Sequence, residues 1–304
     1  MLRDALAACG DVMCAVHAPV QRSASADPSR FRFRRRGERM KLGAPPEITV
    51  RDRQGLPYLV DHWYLASATK RHMIVRRIRE VFERSGFQRG DHVLDLGPGW
   101  AFGPMWASTL GARITGIDLG LDQLQWAQRQ LNTTRGFALV QGNARALPFA
   151  DRTFDAIVSV EMMEHVFRPD RPLVLREAAR VIKPGGTITI STPNAHSPIE
   201  QAKVLATRWP ALRRMLPSSC YPEAVDDSTT YHPYRYHHPI TARDLAALLA
   251  GAGFEVRGAR QFMWVFKTLP DGLLSVARAF EALAEALPLV NRLGATTLMW
   301  GIRR

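Results

Sequence analysis

Between Gly90 and Val256 the chain alternates short apolar runs with longer segments whose apolar residues recur every three or four positions. The runs His92–Leu96, Arg113–Asp118, Ala138–Gln141, Phe154–Glu161 and Thr187–Thr192 are bounded by turn-forming residues and predict β-strands. The segments between them predict helices at Met105–Leu110, Leu121–Leu131 and Arg171–Val181; Val174, Ala178 and Val181 mark the apolar face of the last. Such alternation implies a parallel sheet covered on both faces, with any ligand at the carboxyl ends of the strands.

The flanks follow other patterns. Upstream, Ile74, Val75, Ile78, Val81 and Phe82 form one stripe of a helix over Ala68–Phe82, and Lys70, Arg71, Arg76, Arg77 and Arg79 opposite read as a solvated face. Residues 198–236 hold no simple period and read as an insertion near the mouth of a site. Thr241 with Asp244 predicts a helix N-cap, Gly251 and Gly253 end that helix, and Gly253–Val256 opens a strand. A helix over Leu273–Leu287 precedes a last strand, Thr296–Ile302. The apolar stripe of that helix is expected to be core packing; the alternative, shared with basic Lys203–Arg214, is a membrane surface or a cover over an apolar substrate.

The first strand runs into a glycine-rich turn, HVLDLGPGWAFG, where the backbone can approach a ligand and the following helix offers free N–H groups. Gly97, Gly99 and Gly103 fit a dinucleotide fingerprint imperfectly, and Asp118, ending the second strand, suits the ribose of either a dinucleotide or S-adenosylmethionine (SAM). Asp95 favours SAM, because a carboxylate repels a pyrophosphate and attracts a sulfonium and an ammonium.

VLDLGPGWA resembles the first motif of the class I SAM-dependent methyltransferases, and four later segments are similar to that family in the same order. They are GIDLGLDQLQWA, GNARALPFADRTFDAIVSVEMMEHV, REAARVIKPGGTITISTPN and YHHPITARDLAALLAGAGFEV. The resemblance implies a Rossmann-like, doubly wound α/β fold with a seven-stranded sheet, mostly parallel with an antiparallel last strand. It implies S-adenosyl-L-methionine as cofactor, with Asp95, Gly97, Gly99 and Ala101 around its methionine part, Asp118 and Leu119 at the ribose, and Asn143 with Ala144 at the adenine. Two departures stand out: Ala101 replaces the family's third glycine, and Asn143 replaces its adenine-side acid.

SAM carries an activated methyl group, so the protein aligns an acceptor, excludes water and, for a hydroxyl, takes a proton. His165, His196, His237 and His238 are the candidate bases, all expected at the carboxyl edge of the sheet. No metal is expected, although the ExxEH string of Glu161, Glu164 and His165 resembles the magnesium-binding segment of ubiquinone-pathway and small-RNA methyltransferases. The cluster Thr229–Pro239 reads as part of an acceptor pocket.

Composition sets bounds. The net charge is +13, part of it in Pro28–Gly43, and residues 1–45 read as a basic, disordered extension: a solvated tail or a stretch upstream of a true start at Met40, with a nucleic-acid or lipid-binding arm and an Arg-rich transit peptide as the alternatives. Residues 46–304 read as the methyltransferase domain, with insertions at about 198–236 and 268–292. Three cysteines without paired spacing argue against a disulfide framework and for a cytoplasmic setting. No apolar run approaches the roughly 18 residues of a membrane-spanning helix, because Asp11, Arg278, Glu281 and Glu285 break up the best candidates, so no transmembrane segment is predicted. The expected acceptor is a small or lipid-linked molecule, most readily a hydroxyl, with peripheral membrane contact an option and nucleic acid not the favoured partner. The alternatives are an RNA methyltransferase, a SAM-binding module without catalysis and, last, an NAD oxidoreductase.

Overall fold

The computed structural model describes residues 40–48, 56–57, 59–131, 136–209 and 237–304. Strands β1 (His92–Leu96), β2 (Arg113–Asp118), β3 (Phe137–Gln141), β4 (Phe154–Val160), β5 (Ile182–Pro193), β6 (Phe254–Phe262) and β7 (Thr296–Arg303) form one sheet in the order β3-β2-β1-β4-β5-β7-β6. β1 to β5 pair in parallel, and β7 runs antiparallel to both β5 and β6, so β6 points the same way as β1 to β5. The expected seven-stranded fold is thus present. Strand order reverses between β1 and β4, which opens a crevice at their carboxyl ends.

The pleat sorts side chains to two cores. Val93, Ile114, Ala156 and Val158 face one apolar layer with Phe82 and Trp106, while Leu94, Leu96, Ile117 and Ile157 face another with Val174, Leu175 and Leu249. Helices α1 (Ala68–Ser85), α2 (Phe102–Ser108), α3 (Leu121–Leu131), α4 (Arg171–Val181), α5 (Pro198–Arg208), α6 (Ala242–Gly251) and α7 (Leu274–Ala286) complete the described layers. Thr241 caps α6 as predicted, its hydroxyl accepting from the Asp244 N–H at 3.0 Å.

Several expectations need correction. Helix α2 starts at Phe102, not Met105, because Ala101 takes the left-handed conformation as its N-cap and Pro104 falls in the first turn, where no N–H is needed. Residues 198–236 are not wholly irregular: Ser197 accepts from the Glu200 N–H, Pro198 follows it, and α5 results. The end of the expected basic extension belongs to the fold, since Leu42 is buried and its N–H donates to Glu83 at 2.9 Å. The rest of that extension, residues 1–39, and the Thr229–Tyr236 part of the aromatic cluster lie outside the described residues. A π-helical segment, Leu59–Leu65, had no counterpart in the sequence pattern; it sets Tyr64 5.2 Å from Trp100 and 5.1 Å from Phe102, beside the glycine turn.

The basic face of α1 is not simply solvated. Arg77 lies 3.4 Å from Glu161 and donates to Thr296, and Arg76 pairs with Glu281 and Glu285 of α7. Those acids occupy the inner side of α7, with Ala284, whereas Val276, Phe280 and Leu283 are 69%, 53% and 61% exposed. The stripe of Leu273, Val276, Phe280, Leu283 and Leu287 is therefore not core packing; Leu274, Ala277 and Ala284 face inward beside the two acids, which α1 neutralises.

Candidate functional site

Two groups of residues meet where the strand order reverses. After β1 the chain turns through Gly97, Gly99 and Ala101 with φ of 74°, 54° and 61°, a left-handed run that glycine adopts freely and alanine at a cost of about 1 kcal/mol. A Cβ on Gly97 would collide with the Met162 side chain, so Gly97 is required by contact as well as by conformation. Asp118, at the end of β2, accepts the Gly99 N–H at 2.9 Å and the Gly120 N–H at 2.8 Å. It thereby ties the two loops together; burial raises its pKa and these bonds work against that rise.

Asp95 lies beneath this turn, 2% exposed, and its Oδ1 has no hydrogen-bond partner among the described residues. Burial, with the nearby Asp118 charge adding to it, pushes the Asp95 carboxyl up to about 8. On the outer side, Leu119 is 44% exposed, and the Asn143 side-chain oxygen accepts the Arg145 N–H at 3.0 Å next to partly buried Ala144.

The second group follows β4. Glu161 turns the chain with φ of 51°, and Met162 then leans over Gly97. Glu164 and His165 follow in a single 3₁₀ turn, Met163–His165. Glu164 is 1% exposed; its Oε2 accepts from the Thr192 hydroxyl at 3.2 Å, and its carbonyl accepts the His238 N–H at 2.9 Å. Burial, reinforced by the Glu161 charge, raises Glu164 well above the carboxylate range, whereas Arg77 opposes the same rise at Glu161.

His237 comes from 72 residues further along and completes the group. Single ligand atoms of Glu164, His165 and His237 lie within 4.8 Å of one another, and the two imidazole rings are 5.4 Å apart. Burial, aided by the His165 charge, pushes His237 down to about 3, so its ring is neutral at physiological pH, and its buried Nε2 has no hydrogen-bond partner among the described residues.

The other candidates lie apart. His238 meets Arg168 at 3.2 Å through Nδ1 and accepts from Arg171 through its carbonyl, which fixes the strap that carries His237. His196 is exposed, its N–H donating to Asn194. Glu161 does not join the three-residue set; Arg77 and Ser191 hold it.

Comparison with known proteins agrees with the fold and with the motif that opens it. Residues 94–190 match the family described as "Methyltransferase domain". The chain is 35% identical over 122 residues to a methyltransferase, GfsG, of Streptomyces halstedii, covering 38% of this chain and 42% of the other. It is 29% identical over 193 residues to the ubiquinone biosynthesis O-methyltransferase of Bordetella avium, covering 60% and 70%. Residues 94–190 carry a methyltransferase domain, and the fold around them is that of SAM-dependent methyltransferases. The chain spans about half the length of the first curated relatives it matches. Among solved structures, the fold is shared with a methyltransferase bound to the Trm112 activator of Haloferax volcanii (TM-score 0.53, 18% identity, covering 80% of this chain and 91% of that one). It is also shared with a sarcosine dimethylglycine methyltransferase structure from Galdieria sulphuraria (TM-score 0.53, 16% identity, covering 77% and 88%).

SAM is the cofactor of such a domain, and the residues of this methyltransferase domain fit it. Asp95 offers a buried, unpartnered carboxyl oxygen suited to a cationic group, and Asp118 holds the loop while keeping lone pairs for hydroxyl donors. The sequence pattern missed Met162, Arg77 and the pairing of His237 with Glu164. Only the first had a nearby signal, its place directly before the acid-histidine pair.

Proposed function

We propose that this domain transfers the methyl group of SAM to a hydroxyl of a small or lipid-linked acceptor. The supporting observation is the placement of Glu164, His165 and His237 at the carboxyl edge of β4, next to the glycine turn through Met162. SAM, when bound, supplies an activated methyl group that needs no further covalent help. The chain's own residues do the rest. Asp95 and Asp118 hold the cationic and hydroxyl groups of the cofactor, and Met162 separates the turn from the acid-histidine group.

A hydroxyl that accepts a methyl group must lose its proton, and His165 takes it. His165 is the more accessible imidazole, 36% exposed, with the Glu164 carboxyl 4.0 Å from its Nε2. His237, kept neutral by burial, orients the hydroxyl through its unpartnered Nε2. The curated relatives that are O-methyltransferases support oxygen over nitrogen or carbon as acceptor. The test is turnover of phenolic and catecholic acceptors with methyl-labelled SAM. His165→Ala is expected to abolish labelling while retaining SAM binding; labelling unchanged in His165→Ala would remove it from the reaction.

A second reading has its own observation: one carboxylate oxygen and two imidazole nitrogens within 4.8 Å can hold a divalent cation that lowers the acceptor's pKa. Two imidazoles favour zinc, iron or manganese over magnesium. Loss of turnover on chelation, restored by manganese or zinc, would select this reading.

A further inference from the structure

The amino edge of the sheet, opposite the glycine turn, carries its own concentration of charge. The Asp151–Arg152 turn before β4, the second half of α4, the start of β5, the turn after α6 and the end of β7 meet there around an open cleft of about 600 Å³. The charged side chains that line it are a single acid, Asp151, and five arginines, Arg152, Arg176, Arg180, Arg303 and Arg304. None of them belongs to the site at the carboxyl edge.

Three of the arginines are accounted for by the fold. Arg180 spends all of its N–H donors, on both oxygens of Glu177, on Asp151 and on the carbonyls of Leu147 and Phe149, at 2.8 to 2.9 Å. The acid of the cleft is thereby neutralised. Arg303 donates to the carbonyls of Ala179 and Gly253, both at 3.0 Å, and so offsets the partial negative charge at the ends of α4 and α6. A Cβ on Gly253 would meet that guanidinium, so the glycine makes room for it. Arg304 lies 4.0 Å from Glu255.

Arg152 and Arg176 are left over. Both are exposed at the cleft, and neither guanidinium has a hydrogen bond or an ion pair among the described residues. Arg152 also holds φ of 53°, a left-handed turn conformation that asparagine or glycine takes at lower cost. Against Arg152, Arg176, Arg180 and Arg303 stand Asp151 and Glu177, both on Arg180, so two positive charges are uncompensated. Each free guanidinium presents a planar fork that fits a phosphate or a carboxylate. Two such forks on one cleft select an ion with at least two anionic groups, and a phosphate chain carries them consecutively. Among the described residues no aromatic ring lines the cleft, so it offers no stacking platform for a base.

We infer that this cleft is a binding site for an oligophosphate, separate from the SAM turn and held chiefly by Arg152 and Arg176. The experiment is calorimetric titration of the full chain at physiological salt with tripolyphosphate, ATP, orthophosphate and citrate. The expected result is saturable binding of one tripolyphosphate per chain, with ATP within about threefold of it and orthophosphate and citrate about tenfold or more weaker. The variant pair is Arg152→Asn with Arg176→Gln, which suits the left-handed turn and the helix and removes both forks. It should weaken tripolyphosphate about tenfold or more while leaving SAM binding and thermal unfolding unchanged. Arg278→Ser, which removes an exposed arginine of α7 outside the cleft, should leave tripolyphosphate binding as it is. Absence of saturable binding, affinity retained by the double variant, or an equal loss in Arg278→Ser overturns the inference. So does orthophosphate or citrate binding as tightly as tripolyphosphate, or ATP binding more than about tenfold tighter.

Discussion

The cofactor side and the β6–β7 segment of this domain are built on opposite principles. Around β1 and β2, apolar side chains point inward, the turn is made of left-handed backbone, and Asp118 closes it with two backbone N–H groups. In the β6–β7 segment, Met263 and Val265 enter the core, but along the helix Glu281 and Glu285 point inward while Val276, Phe280 and Leu283 point out. The first arrangement serves a small ligand whose charges and hydroxyls the chain matches locally. The second depends on partners far away in sequence, Arg76 and His72 for Glu281 and Arg76 for Glu285.

The largest effect is expected at the chemistry. His165→Ala should lower kcat by about 10² to 10⁴ while changing the Kd for SAM less than about twofold, read by steady-state turnover and calorimetry. A loss of SAM affinity instead would move His165 to the cofactor side. Next in size is Glu281→Ala, which leaves His72 and the Trp264 N–H without their acid and Arg76 with Glu285 alone on α7; it should destabilise the fold by about 2 to 3 kcal/mol in urea unfolding. A change below about 0.5 kcal/mol would show that the inward acids do not hold α7.

Asp118→Ala should weaken SAM by about 1.5 to 3 kcal/mol, a factor of about 10 to 150. Asp95 sharpens the same side through pH. Its folded pKa, about 8, lies above the unfolded carboxylate value, so the cofactor-free protein holds a proton there that the unfolded chain has lost. Its contribution to stability is present at low pH and is lost as pH rises through about 8. Binding of a cation beside Asp95 then releases that proton, and SAM affinity should rise with pH toward about 8. Asp95→Asn should flatten both profiles, measured by thermal unfolding and by titration across pH. The smallest effect is expected on the outer face of α7: Phe280→Asp should leave stability within about 0.5 kcal/mol, because Phe280 is half exposed. A large loss there would mean that the stripe is covered.

The contrast also separates what the sequence carried from what it did not. Strands β1 to β5, the glycine turn and the Thr241 cap depend on neighbours within a few residues, and their patterns of period, glycine and hydroxyl are local. Helix α5 had a local signal too, Ser197-Pro198 followed by Glu200, but the prolines and histidines beyond it obscured the start. The site divided the same way. Gly97, Gly99 and Asp118 follow from strand ends, whereas His237 reaches Glu164 across 72 residues through a strap that Arg171 fastens. The inward direction of Arg76 and Arg77 on α1 is set by acids more than eighty positions away, at Glu161 and Glu281, which periodicity along α1 cannot register.

The central claim is that the turn after β1, with Asp95 beneath it and Asp118 across it, is a SAM site. Calorimetric titration of the purified chain with SAM, beside Asp118→Ala and in two buffers of different ionisation enthalpy, tests it most directly. The account predicts one SAM per chain, proton release in the wild type near neutral pH, and affinity about tenfold or more weaker in the variant. Absence of SAM binding, or equal binding in the wild type and Asp118→Ala, would contradict it.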